Sequence, residues 1–404
     1  MSRLPRSSGM TSFWYTLVSS VRREARRLRA SPWDLAMVSW VPLLACAVMG
    51  WIFSAGLPQQ LPIGLMDQDH SALSRQLARF LAATPGLKLV TSYDDTAQAT
   101  QALRRTEVYA VVAIPSDFSR DIKLGHAAQV TLLHNAQLGT HSGLIQRDVR
   151  TAVATLSAGV EMSARNKRGQ PALATRVAME PIQTQLVTLF NVSLNYEQFL
   201  AAALIPALLH ILAMTAGAWA VGRELRDATP GQWLGDTPRW STTSAALLGK
   251  LSWPLLSLGL VGTASLLGLT WGRGWHPSGS LSWVWLGLMG LLALSLVMGA
   301  AVAAGTLSLR TALSATGFIT APAFAFSGVG FPLQSMPVLA RGWAELLPYT
   351  HYIRLQMEQL QMGAPLRYAT VSMAGLWLAT GLLGALSALL LVRAARQPER
   401  WGGR

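Results

Sequence analysis

The chain has 404 residues, of which 51% are hydrophobic and only 13% are charged. A soluble protein of this size carries about 25% charged residues, so the composition excludes an ordinary soluble protein. The formal net charge of +14 would suggest a nucleic-acid partner in a soluble protein, but here arginines flank apolar segments, which argues against nucleic acid.

Residues 1–33 form a basic leader that contains a predicted amphipathic helix over about 11–30. Seven arginines in this leader stand against a single acid, Glu24. We expect the helix to lie in the inner membrane interface, and a solvated basic leader is the alternative. The apolar positions that recur at helical spacing are Trp14, Leu17, Val18, Val21, Ala25 and Leu28.

Six apolar segments are long enough to cross about 30 Å of hydrocarbon at about 1.5 Å per residue. The sequence therefore predicts a polytopic α-helical membrane protein with six transmembrane helices. The first helix is taken as a retained signal anchor, because it is longer than the apolar region of a signal peptide. The predicted helices are 34–56 and then a five-helix bundle within 198–392, at about 198–222, 245–270, 282–306, 311–330 and 369–392.

The arginines also predict the orientation of the chain. The tail at 393–404 carries four arginines against Glu399, and the leader has a similar excess. The positive-inside rule therefore predicts that both termini and the loop at 222–244 lie in the cytoplasm. The polar insert at 57–197 is then outside the membrane, and the segment at 331–367 is a re-entrant or interfacial segment on the outer side.

The insert at 57–197 reads as an α/β domain of its own. Its strands alternate with helical stretches, and it is large enough to form a core without a disulfide. The only cysteine, Cys46, lies in the first span. Strands are predicted at 61–66, 87–92, 108–114 and 129–135, and helices at 71–83, at 94–105, from Ser116 onward and at 139–168.

Two acidic residues at the end of the first predicted strand, Asp67 and Asp69, are spaced as in some metal sites. Strand-to-helix turns favour Asp for ordinary capping reasons, and no further ligand cluster is evident nearby. We therefore interpret Asp67 and Asp69 as turn and capping residues, with either Ser71 or Asp69 as the N-cap of the next helix.

The sequence offers no energy source for transport within this chain. Gly249-Lys250 fails the phosphate-loop pattern, because Ser244 and Leu251 stand where that pattern needs Gly and Ser or Thr. No carboxylate lies deep within a predicted span, which argues against a proton-coupled carrier. Serine-hydrolase and zinc-protease motifs are also absent from the sequence. A membrane-embedded enzyme that uses the residues around 345–358 stays a minor alternative.

Two segments carry a family resemblance. The stretch GRELRDATPGQWL at 222–234, followed by DTP at 236–238 and LGK at 248–250, resembles the cytoplasmic loop of type-2 ABC exporter permeases. Residues 327–354 resemble the second signature of that family. The insert looks like that of the subfamily with a large periplasmic domain after the first helix.

The resemblance implies a separate ATPase that this chain contacts through its loop. The implied ATPase-coupling residues are Arg223, Glu224, Arg226, Asp227 and Thr229. A solvated cytoplasmic turn is the alternative. Asp227-Ala228 departs from the family pattern, in which glycine is usual. The resemblance also implies that ATP and magnesium bind to the partner, so that this chain has no catalytic, cofactor or metal residues.

Further candidates come from the outer segment and from the membrane interior. His210, Phe324 and Phe326 are candidates for the transport pathway, although a neutral packing role is the alternative for His210. The residues that match the outer signature are Gly328, Phe331, Pro332, Met336, Pro337, Pro348 and Tyr349.

These observations together predict the permease subunit of an ATP-driven exporter in a bacterial inner membrane. The resemblance implies an amphiphilic substrate, which is drug-like, a lipid or lipid-linked. It also implies a second permease copy, a periplasmic adaptor and contact with membrane lipid. The alternative is a non-transporting scaffold whose outer domain recruits an envelope partner.

Overall fold

The computed structural model describes residues 9–136, 139–167, 190–191, 195–235 and 237–401. The chain divides into two compact units. The helical unit consists of Met1–Gly56 and Leu189–Arg404, and the sheet unit consists of Leu57–Thr188. Asp236 of the loop motif, and 168–189 of the predicted α/β domain, lie outside the described residues.

Among the described residues, seven α-helices lie between residues 9 and 167, three before the sheet unit and four within it. They are α1 (Gly9–Ala30), α2 (Pro32–Val38), α3 (Trp40–Ile52), α4 (Ala72–Ala83), α5 (Thr96–Arg104), α6 (Phe118–Leu124) and α7 (Gly139–Lys167). The strands of the sheet unit are β1 (Leu61–Asp67), β2 (Leu87–Ser92), β3 (Ala110–Ile114) and β4 (Thr131–His134).

The helices of the second half complete the helical unit. They are α8 (Ala202–Arg226), α9 (Pro230–Leu234), α10 (Trp240–Leu267), α11 (Leu281–Thr306), α12 (Leu309–Thr320), α13 (Ala323–Phe326), α14 (Val338–Leu346), α15 (Pro348–Gln356) and α16 (Leu366–Ala395). One turn of π-helix precedes α8, another follows α10 and a third follows α15, at Glu197–Ala201, Gly268–Gly272 and Met357–Gln361.

The sheet unit has helices on both faces of a four-stranded sheet of order β2–β1–β3–β4. β1 pairs in parallel with β2 and β3, and β4 pairs antiparallel with β3. Because successive strand residues face opposite sides, Val112 packs towards α4 and α7, whereas Val111 packs towards Ala99 and Ala102 of α5. Each strand and helix predicted between residues 61 and 167 matches an element of the structure, with ends that differ by up to two residues.

The turn after β1 confirms the capping interpretation of Asp67 and Asp69. The Asp67 carboxylate accepts the backbone N–H groups of Asp69 and His70 at 3.0 and 3.1 Å. Asp69 accepts hydrogen bonds from Ser119, and the N-cap of α4 is Ser71. Partial burial of the Asp69 carboxylate raises its pKa. The hydrogen bonds from Ser71 and Ser119 outweigh this effect and hold the pKa of Asp69 below its usual value.

Five helices are long enough and apolar enough to cross a membrane, among the residues that the structure describes. Each coincides with a predicted span, with ends that differ by several residues. The first consists of α2 and α3, which meet at Ser39. The five candidates are Pro32–Ile52, Glu197–Arg226, Trp240–Gly272, Leu281–Thr306 and Leu366–Ala395.

The predicted span at 311–330 is not a continuous helix, so the count of six spans is not confirmed. The chain there forms α12, which ends at Thr320, and the four-residue α13. Pro322 favours the break, because proline lacks an N–H donor and its ring clashes with the carbonyl four residues earlier. Gly328 then turns the chain at a φ of +89°.

The centre of the helical unit is the crossing of α8 and α11, which α16 covers on the other side of α11. Two glycines allow the helices to touch through their backbones. A Cβ atom on Gly217 would lie 2.0 Å from the Leu296 carbonyl oxygen, and one on Gly299 would lie 2.0 Å from that of Met214. The close packing of the bundle therefore requires both glycines.

The helical unit has two distinguishable ends. At the first, named the Arg226 end, α8 finishes, α9 follows and α10 begins. At the second, named the Glu197 end, Arg273 pairs with Glu197 at 3.0 Å, and the Gly279 N–H donates to the Gln359 carbonyl at 2.8 Å. The Glu197 end is thus held together by contacts between segments that are distant in sequence.

Candidate functional site

The candidate site is built at the Arg226 end, where α1 lies along α10. Gly249 permits this contact, because a Cβ atom there would lie 2.6 Å from the Leu17 carbonyl oxygen. Trp253 of α10 also donates its indole N–H to the Val21 carbonyl at 3.1 Å. The predicted amphipathic helix is therefore confirmed as a helix, and one of its faces packs on the bundle.

A buried charge cluster joins α1, α8 and α10. Lys250 donates to Glu224 at 2.7 Å and to Glu24 at 2.8 Å. Arg27 and Arg23 pair with the Glu224 carboxylate at 2.6 and 3.2 Å. The side chains of Glu224 and Lys250 are each 1% exposed. We name these five residues the Glu224 cluster. Charges that are this deeply buried persist only when all of them are paired.

The short helix α9 is tied to the same place by its tryptophan. The Trp233 indole N–H donates to the Ser20 hydroxyl at 3.0 Å, and that hydroxyl donates to the Ala246 carbonyl at 2.7 Å. The Lys250 ammonium lies 4.8 Å from the centre of the Trp233 ring, within the range of a cation–π interaction. The loop that follows α8 is therefore fixed to both α1 and α10.

Two of the predicted coupling residues lie on the surface of the loop. Arg226 and Asp227 are exposed and pair with each other at 2.8 Å. The hydrogen bond from Arg226 lowers the pKa of Asp227, and the charges of Arg223 and Arg27 lower it further. Ala228 follows at a φ of +54°, a conformation that favours glycine. We name residues 226–228 the loop tip.

The other three predicted coupling residues face inward. Glu224 is fully buried in its cluster, and the Thr229 hydroxyl donates to the Glu224 carboxylate. Arg223 forms an ion pair with Asp34 at the start of α2. These three residues therefore hold the loop to the helices, whereas Arg226 and Asp227 are available to a partner. The coupling role of all five stays a prediction.

The outer-signature residues fall into two groups. Gly328, Phe331, Pro332, Met336 and Pro337 form the turns before α14, and Phe331 is exposed. Pro348 and Tyr349 begin α15 and are buried. The Tyr349 hydroxyl donates to the Ala203 carbonyl at 2.7 Å, which joins α15 to the start of α8.

The candidate pathway residues lie in the packed interior. The His210 Nδ1 atom is 2.7 Å from the Ser295 hydroxyl, and its ring stacks against Tyr349 at 6.5 Å between centroids. Its side chain has no exposure to solvent. Phe324 and Phe326 are partly buried against the same core. This arrangement fits a packing role for His210, and its part in a pathway stays a prediction.

Sequence reasoning missed four of the five members of the cluster: Arg23, Glu24, Arg27 and Lys250. It treated the arginines as a topology signal and Lys250 as part of a failed phosphate loop. A signal was available, because Lys250 and Glu224 are opposite charges near the ends of consecutive spans. Charged residues in such places pair with one another as a rule.

A comparison with protein families identifies the family of this chain. The model of the family described as ABC-2 family transporter protein matches residues 32–392. These residues cover four candidate spans, all but the last three residues of the fifth, and the loop between α8 and α10. A search of curated proteins finds no match. The family is that of membrane components of ABC transporters, whose partner is an ABC ATPase. The chain belongs to the ABC-2 transporter family and is a multi-pass membrane permease subunit.

Proposed function

We propose that this permease works in an ATP-driven exporter that moves an amphiphilic substrate, either drug-like, a lipid or lipid-linked, out of the cytoplasm or the inner membrane. A separate ATPase binds ATP and magnesium and presses on the loop tip. The observation that carries this proposal is the combination of an exposed loop tip with a buried charge cluster directly behind it.

The placement in the membrane follows from the charges. The Arg226 end carries most of the arginines near helix ends, so it faces the cytoplasm under the positive-inside rule. The chain then crosses a bacterial inner membrane six times, with α12 and α13 together making the fifth crossing. Both termini are cytoplasmic and the sheet unit is periplasmic, where an adaptor protein engages it.

The coupling follows from the contacts of the cluster. A displacement of the loop tip reaches α8 through Arg226, and Glu224 passes it to α10 through Lys250 and to α1 through Arg27. Because these ion pairs are buried, separating them is unfavourable by several kcal/mol, and the three helices move together. A packed bundle of this kind responds by rigid-body shifts of its helices.

A second copy of the permease completes the pathway. Residues of the outer segment remain exposed although they are apolar: Val338 is 79% exposed and Leu339 is 89% exposed. Exposed apolar side chains of this kind suit contact with lipid or with a second subunit. The loop tips of two copies would then engage two ATPase subunits.

A single introduced thiol tests the ATPase contact. Cys46 is the only cysteine and is buried, so Ala228→Cys creates one accessible thiol at the loop tip. A photoactivatable cross-linker on that thiol, in membranes from the native host, is expected to capture an ABC ATPase. Glu399→Cys in the exposed C-terminal segment is the matched control.

The outcome of this cross-linking distinguishes a permease that contacts an ATPase from a non-transporting scaffold. Capture of an ATPase from Ala228→Cys but not from Glu399→Cys supports the permease. If the intact chain copurifies with an envelope protein in mild detergent and neither thiol captures an ATPase, the chain is a scaffold.

A further inference from the structure

Two cavities of opposite character adjoin each other at Arg27. The first is a basic cleft of about 360 Å³, which is lined by Arg23, Arg26, Arg27, Asp227 and Thr229. The second is an apolar cavity of about 450 Å³ between α1–α2 and α8. Arg27 lines both cavities, so the two lie side by side at its side chain.

The cleft has unused positive charge. Arg23 and Arg27 share the Glu224 carboxylate. Asp227 pairs with Arg226 at 2.8 Å, and its contact with Arg27 is longer, at 4.0 Å. Arg26 is exposed and, within the described residues, its guanidinium has no carboxylate within 4 Å; its Nε atom reaches only the Arg22 carbonyl at 3.4 Å. The cleft has three guanidinium groups and a single carboxylate, Asp227, which is already in an ion pair. It therefore attracts an anion, and planar guanidinium groups match the geometry of phosphate.

The apolar cavity has the walls that an acyl chain needs. Leu28, Met37 and Val38 form one wall, and Leu212 and Ala216 of α8 form the other. Trp33, also in the lining, is 75% exposed, which shows that the cavity opens at the protein surface. Since the arginine cleft lies beside this cavity, the charged and apolar parts of an amphiphile fit side by side.

We propose that these two cavities form a binding site for an anionic phospholipid. The phosphate lies in the cleft against Arg23, Arg26 and Arg27, and one acyl chain lies between α2 and α8. The cytoplasmic leaflet is rich in anionic lipids, which fits the membrane placement proposed above, on which this inference rests. Because Arg27 also pairs with Glu224, the lipid contacts the Glu224 cluster directly.

Native mass spectrometry of the purified full chain in detergent tests the site, with phosphatidylglycerol, phosphatidylcholine and glycerol phosphate as probes. Arg26→Gln removes the unpaired guanidinium without touching the Glu224 cluster. Arg22→Gln, an exposed arginine one turn earlier on α1, is the matched control. Ala216→Trp fills the apolar cavity, and thermal unfolding checks that each variant is folded.

We expect phosphatidylglycerol to bind more tightly than phosphatidylcholine, and its affinity to fall about tenfold in Arg26→Gln, the loss of one charge-assisted contact. Arg22→Gln is expected to bind like the wild type, and Ala216→Trp to bind weakly. Equal binding of the two lipids, or equal loss in Arg22→Gln and Arg26→Gln, would overturn the proposal. Competition by glycerol phosphate at the same concentration as the lipid would also overturn it, because it would make the cleft a free-anion site. None of these readouts depends on the ATPase.

Discussion

Glu224 and Lys250 form an ion pair of 2.7 Å between the end of α8 and the first half of α10, and each side chain is only 1% exposed. Glu24 of α1 completes the arrangement from the other side of the ammonium, at 2.8 Å. Such a cluster holds three helices in one relative position, because moving α10 away would leave the buried Lys250 ammonium without either of its carboxylate partners.

The cluster predicts that removing one of its charges lowers the free energy of unfolding more than removing one positive and one negative charge together. Lys250→Met leaves two carboxylates close together, which is expected to lower the free energy of unfolding by about 3–5 kcal/mol. The double variant Lys250→Met/Glu24→Gln removes one charge of each sign and is expected to recover part of that loss. Thermal unfolding in detergent measures both, and strictly additive effects would contradict a coupled cluster.

The close contact between α1 and α10 predicts that adding one methyl group at Gly249 loosens α1 from the bundle. Gly249→Ala places a Cβ atom 2.6 Å from the Leu17 carbonyl oxygen, so α1 has to move away. We expect faster tryptic cleavage after the arginines of α1. The control is Gly268→Ala at the end of the same membrane helix, where the added atom meets nothing within 4 Å. Equal cleavage rates in the two variants would show that α1 does not need this contact.

The crossing of α8 and α11 makes an analogous prediction for the bundle. Gly299→Ala brings a Cβ atom to 2.0 Å from the Met214 carbonyl oxygen, a backbone atom that cannot turn aside. We expect a large fall in the midpoint of thermal unfolding and in expression. Gly305→Ala lies on the same helix with its nearest neighbour at 3.8 Å, and it should behave like the wild type. A mild Gly299→Ala variant would mean that the two helices are not in backbone contact.

Sequence patterns predicted the elements of this fold better than their contacts. Short apolar runs between helical stretches located the strands of the sheet unit, and hydropathy located five spans, because both patterns depend on local burial. Hydropathy also suggested the span at 311–330, since it ignores the missing N–H of Pro322. Pro322 favours the break but does not decide it alone, because Pro206 and Pro254 lie inside the continuous helices α8 and α10.

The sequence predicted the loop of the candidate site but not the buried ion pairs behind it. The loop motif at 222–234 implied five coupling residues by resemblance, and the structure exposes two of them, Arg226 and Asp227. The inward role of Glu224 depends on Lys250, which is 26 residues away, and on Arg27, which is 197 residues away. Such pairings arise from helix packing and leave no local pattern, so a single sequence indicates only that each charge needs a partner.

The loop tip predicts a stabilising substitution. Ala228 has a φ of +54°, where a Cβ atom is unfavourable by about 1–2 kcal/mol, and glycine there is more flexible when unfolded by about 0.4–1 kcal/mol. Ala228→Gly is therefore expected to raise the free energy of unfolding slightly, by about 0.5–1 kcal/mol. Ala228→Ser keeps the Cβ atom and should give no gain. If the serine variant gains as much as the glycine variant, backbone strain is not the cause.

ATP hydrolysis by the complex of this permease with its ATPase in lipid nanodiscs tests the central claim most directly. The variant Arg226→Ala/Asp227→Ala removes the exposed charges of the loop tip. It keeps all five residues of the Glu224 cluster, although Arg27 loses its 4.0 Å contact with Asp227. Glu399→Ala/Arg400→Ala removes one exposed acidic and one exposed basic residue from the C-terminal segment, so the change in charge is the same. The account predicts that the loop-tip variant loses the stimulation of hydrolysis by the permease, whereas the control keeps it. Full stimulation in the loop-tip variant, or an equal loss in both, would contradict the coupling of the ATPase through this loop.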